Sequence, residues 1–150
     1  MKRLIYIFVA LLLVATSCKK DAPVAVNNAA KLIGEWHCTA EDITAEVDVY
    51  VEFTADGGFN LYQMVGEGRH RHYTGSWTMS GNILSGSYAD GSEWGSSYAV
   101  EFSGDDAVKF IAQNGSDEVM FYIREAIPQN IKDGSVEVRS VVEQAVCPIF

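Results

Sequence analysis

Residues 34–126 predict an all-β fold, an up-and-down antiparallel barrel of eight strands. Two observations carry that prediction. Apolar and polar residues alternate with period two through the stretch, the pattern of strands with one buried and one wet face. Turn residues interrupt the alternation roughly every 10–13 residues, so most connections are hairpin-short. Short connections pair sequence neighbours into a meander. A meander this long keeps two unpaired edges unless it closes, and closure removes both. Nothing repeats over 20–50 residues, and strands do not alternate with helices.

The chain ahead of the barrel reads separately. Lys2 and Arg3 precede an unbroken apolar run of 11 residues, Leu4 to Val14. That is too short to span a bilayer comfortably and right for a signal-peptide core. Ala15-Thr16-Ser17-Cys18 follows. Small residues directly before a cysteine resemble the lipobox of bacterial lipoproteins. The resemblance implies cleavage before Cys18 and a diacylglyceryl thioether on its sulfur. The expected organisation is a signal peptide (1–17), a lipidated tether (18–30), the barrel (31–126) and a C-terminal segment (127–150). Lys19 is not the aspartate that resembles an inner-membrane retention signal, so by analogy an outer-membrane lipoprotein is expected. Lys19-Lys20-Asp21 is too poor in acids for an acidic export tract, and which face of the membrane it occupies stays open.

Charge narrows the partners. The formal net charge is −9, and cleavage would remove two more positive charges. An acidic chain does not wrap nucleic acid, which needs clustered Lys and Arg. It does not hold anionic lipid by surface charge either. The acyl chains are the expected hold on the membrane, at about 0.8 kcal/mol per buried methylene.

Within the barrel each element has its own signals. Asp21 to Ala30 has no period and reads as linker; Lys31 to Ile33 suits a helical turn feeding the first strand, which starts at Gly34. Val47, Val49, Val51 and Phe53 alternate with polar residues, and Asp56-Gly57-Gly58 turns the chain. Phe59, Leu61 and Val65 follow, then Arg69 to Met79, with Tyr73, Trp77 and Met79 on one side. Ile83 to Tyr88 is next. Tyr98, Val100 and Phe102 mark a sixth strand, Val108, Phe110 and Ala112 a seventh, and Val119, Phe121 and Ile123 the last. Ile127-Pro128 breaks it. In the tail Val138, Val141, Val142, Ala145 and Val146 fall at helical spacing with Ser135 available as a cap, although valines also suit a strand. A helix on the barrel wall is the expectation.

Gly34 and Trp36 open the first strand and Arg124 ends the last. This placement resembles the lipocalin family, in particular the lipocalin-like domains of Gram-negative lipoproteins, over Leu32 to Ala126. The resemblance implies an indole at the closed end with an arginine over its face, worth about 0.5–2 kcal/mol. It also supports the C-terminal helix. The segment Ala40 to Ala45 is short beside the lid loop of typical lipocalins, which argues against a deep, lidded pocket. Cys38 and Cys147 remain once Cys18 is lipidated. They either form a bridge, worth about 4–5 kcal/mol in the chain-entropy model, or stay as two buried thiols. A bridge would resemble the one tying the C-terminal segment to the barrel in many lipocalins.

Arg69-His70-Arg71-His72 is the one basic cluster of the barrel region. Alternation sets its histidines on one face and its arginines on the other. The histidines could share a metal, with a carboxylate or His37 as a third ligand, though a solvated strand end is the plainer reading and no metal is assigned. Arg69 and Arg71 share the parity of Tyr73 and Trp77. They would stand at the open mouth and meet an acidic head group. Tyr88, Trp94 and Tyr98 flank the Asp90-Gly91-Ser92 turn and suit either core or a rim for rings and sugars. Motifs for hydrolase elbows, phosphate loops, zinc-protease helices and calcium loops are lacking, so no enzyme and no cofactor is expected. The favoured function is a lipid-anchored binding protein for a small hydrophobic or amphipathic ligand, held by Tyr73, Trp77, Arg69, Arg71 and Tyr98. The alternative is a filled barrel that scaffolds a protein or glycan.

Overall fold

The computed structural model describes residues 27–38, 47–142 and 148–150. The signal peptide, Cys18, the start of the tether, the segment 40–45 and Cys147 lie outside these residues. A short helix, α1 (Asn28–Leu32), is capped by the Asn27 side chain and leads into β1 (Gly34–Cys38). It thus begins inside the stretch that reads as linker. Then come β2 (Val47–Phe53), β3 (Gly58–Val65), β4 (Arg71–Ser80), β5 (Ile83–Tyr88), β6 (Tyr98–Ser103), β7 (Ala107–Ala112) and β8 (Val119–Arg124). Each pairs antiparallel with its sequence neighbours, and β8 returns to pair with β1, Trp36 opposite Arg124. This is the closed eight-stranded barrel that the alternation predicts.

One parity of each strand fills the interior. Val49, Val51 and Phe53 of β2 meet Phe59 and Leu61 of β3, Tyr73 and Trp77 of β4, and Val108 and Phe110 of β7 in a continuous core. The last strand differs from its sequence signal. Its inward residues are Met120 and Tyr122, while Val119, Phe121 and Ile123 face outward at 40–52% exposure. Both parities of β8 are apolar, so alternation there does not assign a face.

The C-terminal helix is also not where the valines predict. It is α2 (Gln129–Gly134), and Ser135 ends it, donating its N–H to the Ile131 carbonyl at 3.0 Å. Val136–Glu137 form β9, and residues 138–142 are not helical. An open sheet edge decides this. β5 pairs only with residues 75–80 of β4, so the backbone at His70 to His72 has one side unmatched. β9 takes that side in parallel: Val136 N–H donates to His70 O at 2.8 Å and Val138 N–H to His72 O at 2.9 Å. β-branched residues lose little by going extended.

The closed end is built on the β1–β8 seam. The Arg124 guanidinium lies 4.2 Å from the Trp36 ring centre. It donates to the carbonyls of Ile33 (3.1 Å), Lys31 (2.8 Å) and Asp105 (3.0 Å). Trp36 is fully buried and its indole N–H donates to Leu32 O at 2.7 Å. Gly34 makes room: its φ is +132°, and a Cβ there would collide with Arg124 Nη1. Replacing Arg124 with Ala therefore removes a cation–π contact and three charge-assisted bonds. Denaturant unfolding is expected to show a loss of about 2–4 kcal/mol; an unchanged midpoint would refute the role.

Candidate functional site

At the opposite end of the barrel β1 and β3 finish and β4 and β6 begin. The C-terminal segment closes this end. Val141 N–H donates to Asp90 Oδ2 at 2.7 Å beyond β5, and residues 148–150 enter the barrel. Phe150 is only 4% exposed. Its ring stacks on Trp94 with centroids 4.6 Å apart and stands 5.7 Å from Tyr98, 6.2 Å from Phe110, 6.4 Å from Phe53 and 6.5 Å from Phe59. Trp94 reaches this position because Gly86 leaves room on β5: a Cβ there would lie 2.6 Å from the indole. Aromatic rings thus surround the segment on several sides.

Polar groups fix the segment's backbone. Tyr88 Oη donates to Phe150 O at 2.8 Å, Tyr98 Oη to Ile149 O at 3.4 Å, and Ile149 N–H to Gln63 Oε1 at 2.7 Å. Burial, helped by the Glu118 charge, pushes the Tyr98 hydroxyl up to about 12, and burial holds Tyr122 well above its ordinary value. Both remain donors at neutral pH. The indole N–H groups of Trp77 and Trp94 are buried with no acceptor among the described residues. Such a donor costs about 1–3 kcal/mol when unmet. At the mouth, Gln63, Val65, Glu67, Arg69 and Arg71 line a cavity of about 80 Å³. That holds a few waters, whereas ligand pockets run from about 300 Å³.

The outer wall carries a second polar cluster. Both ring nitrogens of His37 meet carboxylates, Glu125 at 2.9 Å and Asp48 at 2.8 Å, and the other Asp48 oxygen meets His70 Nε2 at 2.9 Å. His37 stacks on Tyr50 and His72 on Tyr62, with centroids 4.1 and 4.4 Å apart. Ile127 and Ile131 cover those tyrosines, and Lys132 pairs with Glu35. The groups in this cluster are engaged with one another and tie β1, β2 and β4 to α2. Among the described residues no three His, Cys, Asp or Glu side chains converge as ligands of one ion.

The residues singled out in the sequence fall into three groups. Tyr73, Trp77 and Tyr98 are buried in the barrel core, and Gly34, Trp36 and Arg124 meet at the closed end. Arg69 and Arg71 line the mouth, Arg69 exposed and Arg71 half-buried. Tyr88 and Trp94 belong to the core with Tyr98, so these three do not form a sugar-facing rim. Cys38 is buried on the inner face of β1, opposite Tyr122; its pairing with Cys147 lies outside the described residues. Phe150, Gln63 and Phe110 were not foreseen at the site. The one signal for the first is the apolar Ile149-Phe150 pair after Pro148, which falls outside the helical spacing of the tail valines.

The sequence model of the lipocalin-like domain matches residues 32–107, half of the chain. The chain belongs to the lipocalin-like domain family. Among curated proteins none matches it. The lipocalin-like barrel is a fold that typically binds small hydrophobic ligands rather than catalysing reactions. The family match ends at the start of β7, so Arg124 and the segment inside the open end lie beyond it.

The outer wall of this lipocalin-like barrel has a pH signature. Burial beside Tyr62 holds the His72 imidazole below its ordinary 6.5, with Glu137 and Glu52 pulling weakly the other way. The unfolded chain then binds this proton at higher pH than the folded one. Stability from neutral His72 is complete above pH 6.5 and falls as pH drops through the lowered value. Replacing His72 with Gln should flatten the unfolding midpoint of urea titrations in that window relative to wild type. Equal slopes would show that His72 does not contribute.

Proposed function

We propose that this protein is a lipid-anchored, non-catalytic carrier that takes one small, partly apolar ligand through the open end of the barrel. One observation supports this above the rest. The open end is an aromatic cage with inward hydroxyl and indole donors, and a short chain segment fills it. Such a lining orients a ligand by a few polar contacts and holds it by apolar burial. Arg69 and Arg71 at the mouth suit an acidic head group. Tyr73, Trp77 and Tyr98 would line the deeper part. The Cys18 motif and the preceding apolar run support an outer-membrane lipoprotein.

A second reading, a scaffold with a filled interior, draws on the outward Phe121 and Ile123, which line a groove of about 340 Å³. Two measurements separate and test these readings. Titration of 11-(dansylamino)undecanoic acid should show saturable binding at one site per chain, with Trp emission quenched and unlabelled fatty acid displacing the probe. Binding that never saturates would leave the scaffold. Cells grown with labelled palmitate should incorporate it into the wild-type protein and not into Cys18→Ala, which should leave the membrane fraction. Label retained by Cys18→Ala would overturn the anchor.

A further inference from the structure

We infer that residues 148–150 are a resident, displaceable occupant of the ligand site, and that their chemistry describes the ligand: a flat ring or alkyl group bearing a carbonyl or carboxylate oxygen. The inference rests on the carrier reading above and deepens it.

Three observations converge. The Phe150 ring sits where an apolar ligand group would, stacked on Trp94 and ringed by Phe53, Phe59, Tyr98 and Phe110. Its carbonyl oxygen takes the Tyr88 hydroxyl, and the carbonyl before it takes the Tyr98 hydroxyl. An incoming carbonyl or carboxylate can accept the same two donors. The segment has no ladder pairing with any strand. Side chains hold it at Gln63, Tyr88 and Tyr98, so it can leave without breaking the sheet. The Trp94 indole N–H, unmet while Phe150 stacks on it, is a further donor for an oxygen-bearing ligand.

The same cage is therefore either plugged or loaded, and the ligand competes with the protein's own chain. Removing the competing ring should tighten ligand binding even though it deletes apolar contacts from the folded protein. A core residue with no such role behaves in the opposite way.

The test is dansylundecanoate affinity in the full-length protein, wild type against Phe150→Ala. The expected result is binding at least about tenfold tighter in the variant, equivalent to 1.4 kcal/mol of relieved competition. Adding Tyr88→Phe should weaken the carboxylate probe several-fold and leave N-phenyl-1-naphthylamine, which has no oxygen acceptor, unchanged. Equal affinity in wild type and Phe150→Ala would overturn the plug while the carrier reading stands. Absence of saturable binding in both would overturn the two together. Should Phe150→Ala not fold, the wild type decides by proton NMR. The Phe150 ring signals, shifted upfield by the stacked indole, should move to their free-peptide positions at probe saturation; signals that stay in place overturn the inference.

Discussion

Arg124 over the Trp36 indole is the contact on which the rest of the barrel depends. Closing a meander brings its first and last strands together across the whole barrel, from Trp36 to Arg124. Loop-closure entropy opposes that step, and the β1–β8 ladder alone is short, with three registered pairs. One guanidinium adds to it a cation–π contact and three bonds to backbone carbonyls on two separate stretches of chain. Those carbonyls belong to the entry of β1 and the turn before β7, so the side chain fastens the floor from both sides. Gly34 is the matching concession in the backbone: any side chain there would occupy the arginine's place. With the floor fixed, the inward residues of the other strands have one interior to fill.

The two ends of that interior are held by different means. The closed end is knotted by side chain to backbone contacts within elements of the barrel. The open end is filled by residues that belong to no barrel strand. Burying the Phe150 ring is worth about 1.5–3 kcal/mol, and each of its neighbours' hydrogen bonds about 0.5–1.5 kcal/mol. Ordering the backbone costs about 1–2 kcal/mol per residue. Gain and cost are of one size, so the segment holds the open end weakly by comparison with the floor. A ligand present at about 100 times its Kd favours the loaded state by about 2.7 kcal/mol, the same size as that balance.

How much of this was legible in the sequence follows from which residues have period and which have context. The alternation of Val47 to Phe53 and Tyr98 to Phe102, with glycine turns between, placed eight strands and their meander order. Gly34, Trp36 and Arg124 could be marked by position alone because they bracket the first and last strands. Where both parities of a strand are apolar, as in β8, period is silent, and the outward set of Val119, Phe121 and Ile123 carried the signal. Where a helix and a strand were both compatible, as for Val136 and Val138, the vacant edge of β4 decided. That edge exists only because β5 starts and stops where it does. His37 and Asp48 meet through barrel register, and no spacing in the chain announces them.

The open end also adjoins the thinnest seam between the eight barrel strands. β5 and β6 share two registered pairs, Ile83 with Ala99 and Leu84 with Tyr98, whereas β6 and β7 share six. From Ser85 to Tyr88 the outer edge of β5 is met not by β6 but by the loop ahead of it: Trp94 N–H donates to Gly86 O at 3.1 Å and Tyr88 N–H to Ser92 O at 2.7 Å. Trp94, the residue stacked on Phe150, is therefore carried by a loop that does the work of a strand. Parting that loop from β5 breaks few ladder bonds, while the floor at Trp36 and Arg124 is untouched. Openings of lowest cost occur where backbone pairing is sparse, and in this barrel that place adjoins the aromatic cage. The physical asymmetry between a fastened floor and a loosely laced mouth thus follows from where the strands end, and it puts access and binding at the same end of the molecule.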